Sequence, residues 1–186
     1  MKKILFLSLI LIMSASVLFL TGCSKKTESN VITIASDATW PPMEFLNENK
    51  EIIGFDVDLI KAAAKAGGFE VNVVNTAWDG IFAGLANGNY DAVMSSVTIT
   101  DERKASMDFS VPYINAGQVL IVAKDSTGMT TLADMAGKKV GAQIGTTGAI
   151  AITEAGDIEL KTYDELGLAI EDLANGNIEG GSEEHT

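Results

Sequence analysis

The chain has 186 residues, and its 25 acidic and 13 basic side chains give a formal net charge of −12. That negative balance argues against nucleic acid and against anionic lipid headgroups as partners. Cys23 is the only cysteine and His185 the only histidine, so a disulfide framework, thiol catalysis and the usual transition-metal sites are excluded, and no cofactor is expected. A length prior of about 100–200 residues per domain predicts one or two domains.

The first 22 residues have the pattern of a secretion signal, in which two lysines precede an apolar run from Ile4 to Leu20. The run is a little short for the roughly 20 residues of a membrane-spanning helix, and it ends in small residues typical of a cleavage site. The tetrapeptide Leu20-Thr21-Gly22-Cys23 resembles the lipobox of bacterial lipoproteins. That resemblance implies a lipid on Cys23, and residues 23–30 then form a flexible tether that holds the rest outside the cytoplasm. An uncleaved anchor helix is the alternative.

From residue 31 onward, β-branched runs alternate with helical patterns, which is typical of parallel βαβ units in an α/β fold. Strands are predicted at 31–35, 69–74, 90–96, 118–123, 139–144 and 158–161, with a hairpin over 44–53. Helices are predicted at 56–66, 79–87, 132–135, 147–155 and 164–174. Asp56 is expected to cap the first helix. The strand at 118–123 is nearly all apolar, and we expect it to be buried on both faces.

An internal repeat relates the two halves of this region. Leu85-Ala86-Asn87-Gly88-Asn89 recurs as Leu173-Ala174-Asn175-Gly176-Asn177. The first copy continues into an apolar strand, whereas the second continues into a glycine-rich and polar stretch that strands disfavour. We therefore expect no buried strand there, and we interpret residues 179–186 as a tail foreign to the fold, on a chain truncated within its second half. A natural polar tail is the alternative.

Two segments carry residues suited to ligand binding. The hydroxyls of Ser95, Ser96 and Thr98 follow a predicted strand and precede Arg103, whose guanidinium can bind a carboxylate with two parallel hydrogen bonds. Open α/β sheets bind ligands beyond the carboxyl ends of their strands. The segment 145–148 opens a helix and offers free backbone N–H groups to an anion. The alternative is that the hydroxyls are turn residues and Arg103 forms a surface ion pair.

Several ordered motifs resemble the bacterial extracellular solute-binding proteins of family 3, in register from about residue 31 to residue 178. These motifs are Asp37-Ala38-Thr39-Trp40-Pro41-Pro42-Met43-Glu44-Phe45, Gly54-Phe55-Asp56-Val57-Asp58-Leu59, Trp78-Asp79-Gly80, the stretch from Asp91 to Arg103, and Phe109-Ser110-Val111-Pro112-Tyr113. The resemblance implies a two-lobed clamshell of the periplasmic-binding-protein type. It also implies capture of a free amino acid, delivery to the permease subunits of an ABC importer, and a monomeric protein.

Residue roles also follow from the resemblance. Arg103 and Thr98, with the backbone N–H groups of Thr98 and Thr147, would bind the ligand α-carboxylate. Ser95 and Ser96 would take part in the hydrogen bonds to the α-amino and carboxylate groups. The remaining positions would surround the ligand side chain or close over it from the second lobe: Asp37, Trp40, Trp78, Gln143, Thr146 and Thr147.

On this basis lobe 1 is expected at 31–115, a hinge strand at 116–123 and a partial lobe 2 at 124–178. The family's ammonium-binding acid falls at Glu184, in the stretch interpreted as a tail, which predicts an incomplete lid and weak binding. Asp37 between two tryptophans suits a cationic amino acid, although polar neutral ones also fit. The alternatives are the sensing module of a receptor and a cyclohexadienyl dehydratase-like enzyme, for which Asp37 is the only pocket acid predicted.

Overall fold

The computed structural model describes residues 31–185, with side chains up to residue 182. The predicted signal peptide, the lipidation site Cys23 and the tether lie outside the described residues. Two α/β lobes are present, each built on a sheet that is mainly parallel. Among residues 31–185, no helix combines the length and the apolar character needed to cross a bilayer.

Lobe 1 is built around the first strand, whose carboxyl-terminal half is buried. The lobe consists of β1 (Val31–Ser36), β2 (Thr39–Trp40), β3 (Glu44–Leu46), β4 (Ile52–Ile53), α1 (Phe55–Gly67), β5 (Glu70–Asn75), α2 (Ile81–Ala86), β6 (Ala92–Val93) and α3 (Asp101–Lys104). The main sheet has the order β5-β1-β6, all parallel, and β2, β3 and β4 form a small antiparallel sheet. Helix α1 ends at Gly68, which takes the left-handed conformation that a helix stop requires.

Lobe 2 has a four-stranded sheet of order β7-β10-β8-β9. Its elements are β7 (Gly117–Ile121), a 3-10 helix (Leu132–Met135), β8 (Lys139–Gln143), α4 (Thr147–Ala155), β9 (Glu159–Tyr163), α5 (Leu166–Ala174) and β10 (Gly180–His185). β8 pairs in parallel with β9 and β10, whereas β10 and β7 are antiparallel. Met135, Val140 and Ile152 form the centre of its core, and each is fully buried.

The expectation that the residues after 178 form no buried strand is wrong. β10 lies between β7 and β8, and Gly180, Gly181 and Ser182 are buried. A Cβ atom at position 180 would lie 2.8 Å from the Met135 side chain, so glycine fits a space that a larger residue would overfill. Pairing on both sides therefore outweighs the weak intrinsic strand preference of these residues.

Three further predictions are corrected. Asp56 does not cap α1, because the N-cap residue is Gly54 and no side chain caps it. β7 is not buried on both faces: it pairs only with β10 among the described strands, and its first two residues are exposed. The predicted strand at 90–96 is reduced to β6, because the chain leaves the sheet at Met94 to form the cleft wall described below. The helix predicted at 147–155 is confirmed with the same bounds as α4.

Candidate ligand-binding cleft

A cleft with about 510 Å³ of atom-free space, its open mouth included, lies between the two lobes. All ten residues predicted to bind ligand line this cleft: Asp37, Trp40, Trp78, Ser95, Ser96, Thr98, Arg103, Gln143, Thr146 and Thr147. Five other residues also line the cleft: Glu44, Gln118, Gly148, Leu166 and Ser182. Gly148 belongs to the segment 145–148 that the sequence indicated as an anion site, whereas the other four were not predicted. Glu44 stands inside a quoted motif, and Ser182 belongs to the stretch interpreted as a tail.

The strand ends explain why these residues meet. Asp37 follows β1, Ser95 and Ser96 follow β6, and Gln143 is the last residue of β8. Since β1 and β6 are parallel neighbours, their carboxyl ends open at the same edge of the lobe 1 sheet, where open α/β sheets bind ligands. The carboxyl end of β8 faces them from lobe 2.

Arg103 lies at the centre of one end of the cleft and contacts both lobes. Its Nη1 donates to the Thr98 carbonyl at 2.9 Å, and its Nη2 donates to the Gly145 carbonyl of lobe 2 at 3.2 Å. The guanidinium also lies over the rings of Trp78 and Phe82, 5.6 and 5.0 Å from their centroids. These contacts orient a permanent cation, and such a planar donor is suited to a carboxylate.

The amino end of α4 adds a second anion-binding element at this end. Thr146 caps the helix by accepting a hydrogen bond from the Ala149 N–H at 3.3 Å. The Thr147 hydroxyl lies 3.3 Å from that of Thr98 and accepts from the Gln118 amide at 2.9 Å. The backbone N–H groups of the first helical turn and the helix dipole favour a negative charge next to Arg103.

The cleft lining also contains the buried carboxyl group of Asp37. It accepts hydrogen bonds from Thr39 Oγ1 at 2.9 Å and from Gln143 Nε2 at 2.8 Å, and the second of these bonds joins the lobes. Burial raises the pKa of Asp37, and the same hydrogen bonds oppose that rise. Trp78 is 9% exposed, and Trp40 packs against the apolar face of α5 from across the cleft. An acid beside two indole rings favours a positively charged group.

Glu44 forms part of the cleft floor and is only 1% exposed. It accepts a hydrogen bond from Ser95 Oγ at 2.7 Å. Burial raises the pKa of Glu44 to about 9, opposed by the Ser95 bond and assisted by the nearby carboxyl groups of Asp56 and Asp37. Burial therefore favours the neutral acid form of Glu44. Within residues 31–182, no group of three or more His, Cys, Asp or Glu side chains is arranged to hold a metal ion.

Two mainly parallel lobes with a polar cleft between their strand ends define the class of clamshell ligand-binding proteins. The model of the family "Bacterial extracellular solute-binding proteins, family 3" matches residues 32–179, and the chain belongs to this family. The resemblance drawn from the motifs and the α/β two-lobed fold class are thereby confirmed.

The chain is similar to two curated relatives. It is 36% identical over 181 residues to "ABC transporter arginine-binding protein 1" of Escherichia coli K12, covering 97% of this chain and 70% of the relative. It is 38% identical over 152 residues to the "Probable histidine-binding protein" of Neisseria gonorrhoeae, covering 80% of this chain and 57% of the relative. The chain thus spans between about half and three quarters of the length of these relatives.

Solved structures agree with the fold. The holo form of ArgBP from T. maritima superposes with a TM-score of 0.79 at 38% identity, covering 83% of this chain and 69% of that one. An ancestral amino-acid-binding protein described as a precursor of cyclohexadienyl dehydratase gives a TM-score of 0.79 at 36% identity, covering 83% and 70%. The fold is therefore one that binding proteins use and from which an enzyme has also arisen.

Proposed function

We propose that this protein captures an amino acid outside the cytoplasm and delivers it to an ABC importer. The observation that carries the proposal is that the cleft lining combines a permanent cation with a buried acid. Arg103 donates to Gly145 next to the amino end of α4, whereas the carboxyl group of Asp37 accepts from Thr39 and Gln143. An amino acid is a small zwitterion with a carboxylate and one or two cationic groups, and this distribution of charge complements it.

In the proposed complex the α-carboxylate binds Arg103 and the first N–H groups of α4. The side chain extends between Trp40 and Trp78 toward Asp37. This orientation leaves the α-amino group beside Ser95 and Ser96, which line the intervening wall. Gln143 and Thr147 line the cleft from lobe 2, so the bound ligand would contact both lobes.

The favoured ligand is a cationic amino acid, with arginine first. Asp37 accepts two side-chain hydrogen bonds that oppose the rise in its pKa caused by burial. A guanidinium can stack on indole faces while pairing with a carboxylate. Relatives named for arginine binding support this choice. The chain is shorter than those relatives. Arginine is therefore proposed for this chain from its cleft residues and is not assigned from the names of the relatives.

We further propose that the protein binds without catalysing a reaction, that it is monomeric and that a lipid on Cys23 ties it to the membrane. Capture requires complementary charge, which the cleft lining offers through Arg103 and Asp37. One acylated cysteine after a secretion signal would keep the protein near its importer. Incubation with prephenate or arogenate, followed by assay for an aromatic product, tests the catalytic alternative.

Thermal unfolding of the chain from residue 24 onward, measured against a panel of the common amino acids, tests the proposed function. A ligand at about 100 times its Kd stabilises the folded state by about 2.7 kcal/mol, which raises the unfolding midpoint by several degrees. We expect the largest rise with arginine or lysine. The proposal would be contradicted if no amino acid raised the unfolding midpoint. The variant Arg103→Ala, which lacks the carboxylate partner, serves as the matched control.

A further inference from the structure

Two buried acids from different elements lie directly behind the wall formed by Ser95 and Ser96. Glu44 is on β3 and Asp56 is in the first turn of α1, and each is 1% exposed. Burying two negative charges side by side is strongly unfavourable, and carboxyl pairs in such sites hold one proton between them. The arrangement of the hydrogen bonds shows where that proton can lie.

Each carboxyl group has one oxygen with protein donors and one without. Glu44 Oε1 accepts from Ser95 Oγ at 2.7 Å, and Asp56 Oδ2 accepts from the Ser96 N–H at 2.7 Å and from the Tyr113 hydroxyl at 2.9 Å. Within the described part of the chain, the other two oxygens, Glu44 Oε2 and Asp56 Oδ1, are buried and have no donor. The two acids are neighbours, because the Asp56 N–H donates to the Met43 carbonyl at 3.0 Å and the two carboxyl groups accept from the consecutive residues Ser95 and Ser96. One proton between the two oxygens without donors would satisfy both.

We propose that Glu44 and Asp56 share one proton and act as positioning residues that make Ser95 and Ser96 acceptors for a ligand ammonium group. The inference rests on the proposed function and deepens it, because it assigns which end of the amino acid these serines recognise.

The assignment follows from counting hydrogens on the two hydroxyls. Ser95 Oγ donates its only hydrogen to Glu44 and already accepts from the Asp37 N–H at 3.0 Å, which leaves one acceptor lone pair. Ser96 Oγ lies 3.3 Å from Asp56 Oδ2 and directs its hydrogen there. Both serines therefore offer lone pairs to a ligand and no hydrogen, which suits an ammonium and not a carboxylate. The expectation that they also bind the carboxylate is replaced by this assignment.

Asp56 also fixes the backbone at this point. Ser96 has a φ of +46°, in the left-handed region that non-glycine residues rarely adopt. The N–H of Ser96, as well as its hydroxyl, is directed at Asp56 Oδ2. Removal of the carboxylate would release this conformation, and the following residues up to Thr98 would lose their position in the cleft wall.

The groups around the pair determine when it loses its proton. Asp37 faces Glu44 from the end of β1, and Tyr113 faces Asp56 from the segment before β7. Arg103, which belongs to the same lobe, lines the cleft together with Glu44. Burial raises the pKa of Glu44 to about 9, and the negative charges of Asp56 and Asp37 act in the same direction. Burial beside Asp56 also raises the pKa of Tyr113. Glu44 is therefore expected to keep its proton through neutral pH and to become an anion on the cleft floor at alkaline pH.

Carbon-13 NMR of the glutamate side-chain carboxyl groups tests the shared proton without any ligand. The Glu44 resonance is identified by its loss in Glu44→Gln, and Glu48→Gln provides a control at an exposed position of the same hairpin. We expect the Glu44 carboxyl resonance to titrate near pH 9. Titration of Glu44 near its ordinary value of 4.5 would overturn the proposal.

Calorimetric titration with arginine at neutral and alkaline pH tests the positioning role. The α-amino group of the ligand titrates in both experiments, so the comparison is between the wild-type protein and Glu44→Gln, whose amide donates permanently to Asp56. We expect affinity to fall by about tenfold more in the wild type than in Glu44→Gln as the pH passes the Glu44 transition. An equal fall in both proteins would overturn the positioning role. If neither protein binds any amino acid, the proposed function fails, and the NMR titration alone decides whether the proton is shared.

Discussion

Replacing Glu44 by glutamine is expected to change how the stability of the protein depends on pH. The unfolded chain ionises Glu44 near its ordinary pKa of 4.5, whereas the folded protein holds the proton until about pH 9. Between these values the unfolded state releases a proton that the folded state keeps. Folding stability is therefore highest below the unfolded pKa and is lost as the pH rises toward the folded one.

The size of this effect follows from the difference in protonation. One proton contributes a slope of up to about 1.4 kcal/mol per pH unit, so the loss between about pH 5 and pH 7 is 2 to 3 kcal/mol from Glu44 alone. Glutamine has nearly the same shape and cannot ionise, so Glu44→Gln removes this slope. Its amide can accept from Ser95 and donate to Asp56, which preserves the hydrogen bonds of the wild type.

Urea unfolding at a series of pH values measures this difference. We expect the free energy of unfolding of the wild type, minus that of Glu44→Gln, to become more negative as the pH rises. The control Glu48→Gln is expected to follow the wild type. Subtraction removes the contributions of the other titrating groups, including Asp37, whose pKa burial also raises. Parallel curves for the wild type and Glu44→Gln between about pH 5 and pH 8 would refute the assignment of a protonated, buried Glu44.

Three substitutions and one control variant test other parts of the structure. Arg103→Lys removes the planar donor that spans Thr98 and Gly145, and calorimetry should show at least a tenfold loss of arginine affinity, about 1.4 kcal/mol; unchanged affinity would contradict the carboxylate role. Gly180→Val places a side chain against Met135 and should lower the free energy of unfolding in urea by about 1–3 kcal/mol. The control Gly167→Ala in α5 meets no atom within 4 Å and should leave the free energy of unfolding unchanged or raise it. Ile152→Ala opens a cavity in the lobe 2 core and should cost about 2–5 kcal/mol, and a loss below about 1 kcal/mol would show that this core is loosely packed.

Local sequence signals predicted the elements whose limits are set by neighbouring residues. Helix α4 begins directly after the N-cap residue Thr146 and ends directly before the C-cap residue Gly156, so both residues that limit the helix are its immediate neighbours in sequence. The position of β10 depends instead on space left by Met135 and on pairing with β7, more than 50 residues earlier in the chain. Composition alone carried no sign of that pairing.

The cleft lining was predicted more completely than the fold around it, because the family motifs contain seven of the ten predicted residues. Motif resemblance did not reveal what Glu44 and Asp56 do. Asp56 has the sequence position of a helix cap, yet its partners Ser96 and Tyr113 lie 40 and 57 residues away. Such a pair is recognisable only after the strands and helices have brought the two acids together.

Amino-acid capture is tested by calorimetric titration of arginine into the chain from residue 24 onward, with Arg103→Ala and Asp37→Asn as companion variants. We expect saturable binding with one site per chain, loss of binding in Arg103→Ala, and a selective loss of affinity for cationic over neutral amino acids in Asp37→Asn. Absence of binding for arginine and for every other amino acid, or binding that survives Arg103→Ala unchanged, would contradict the proposed capture.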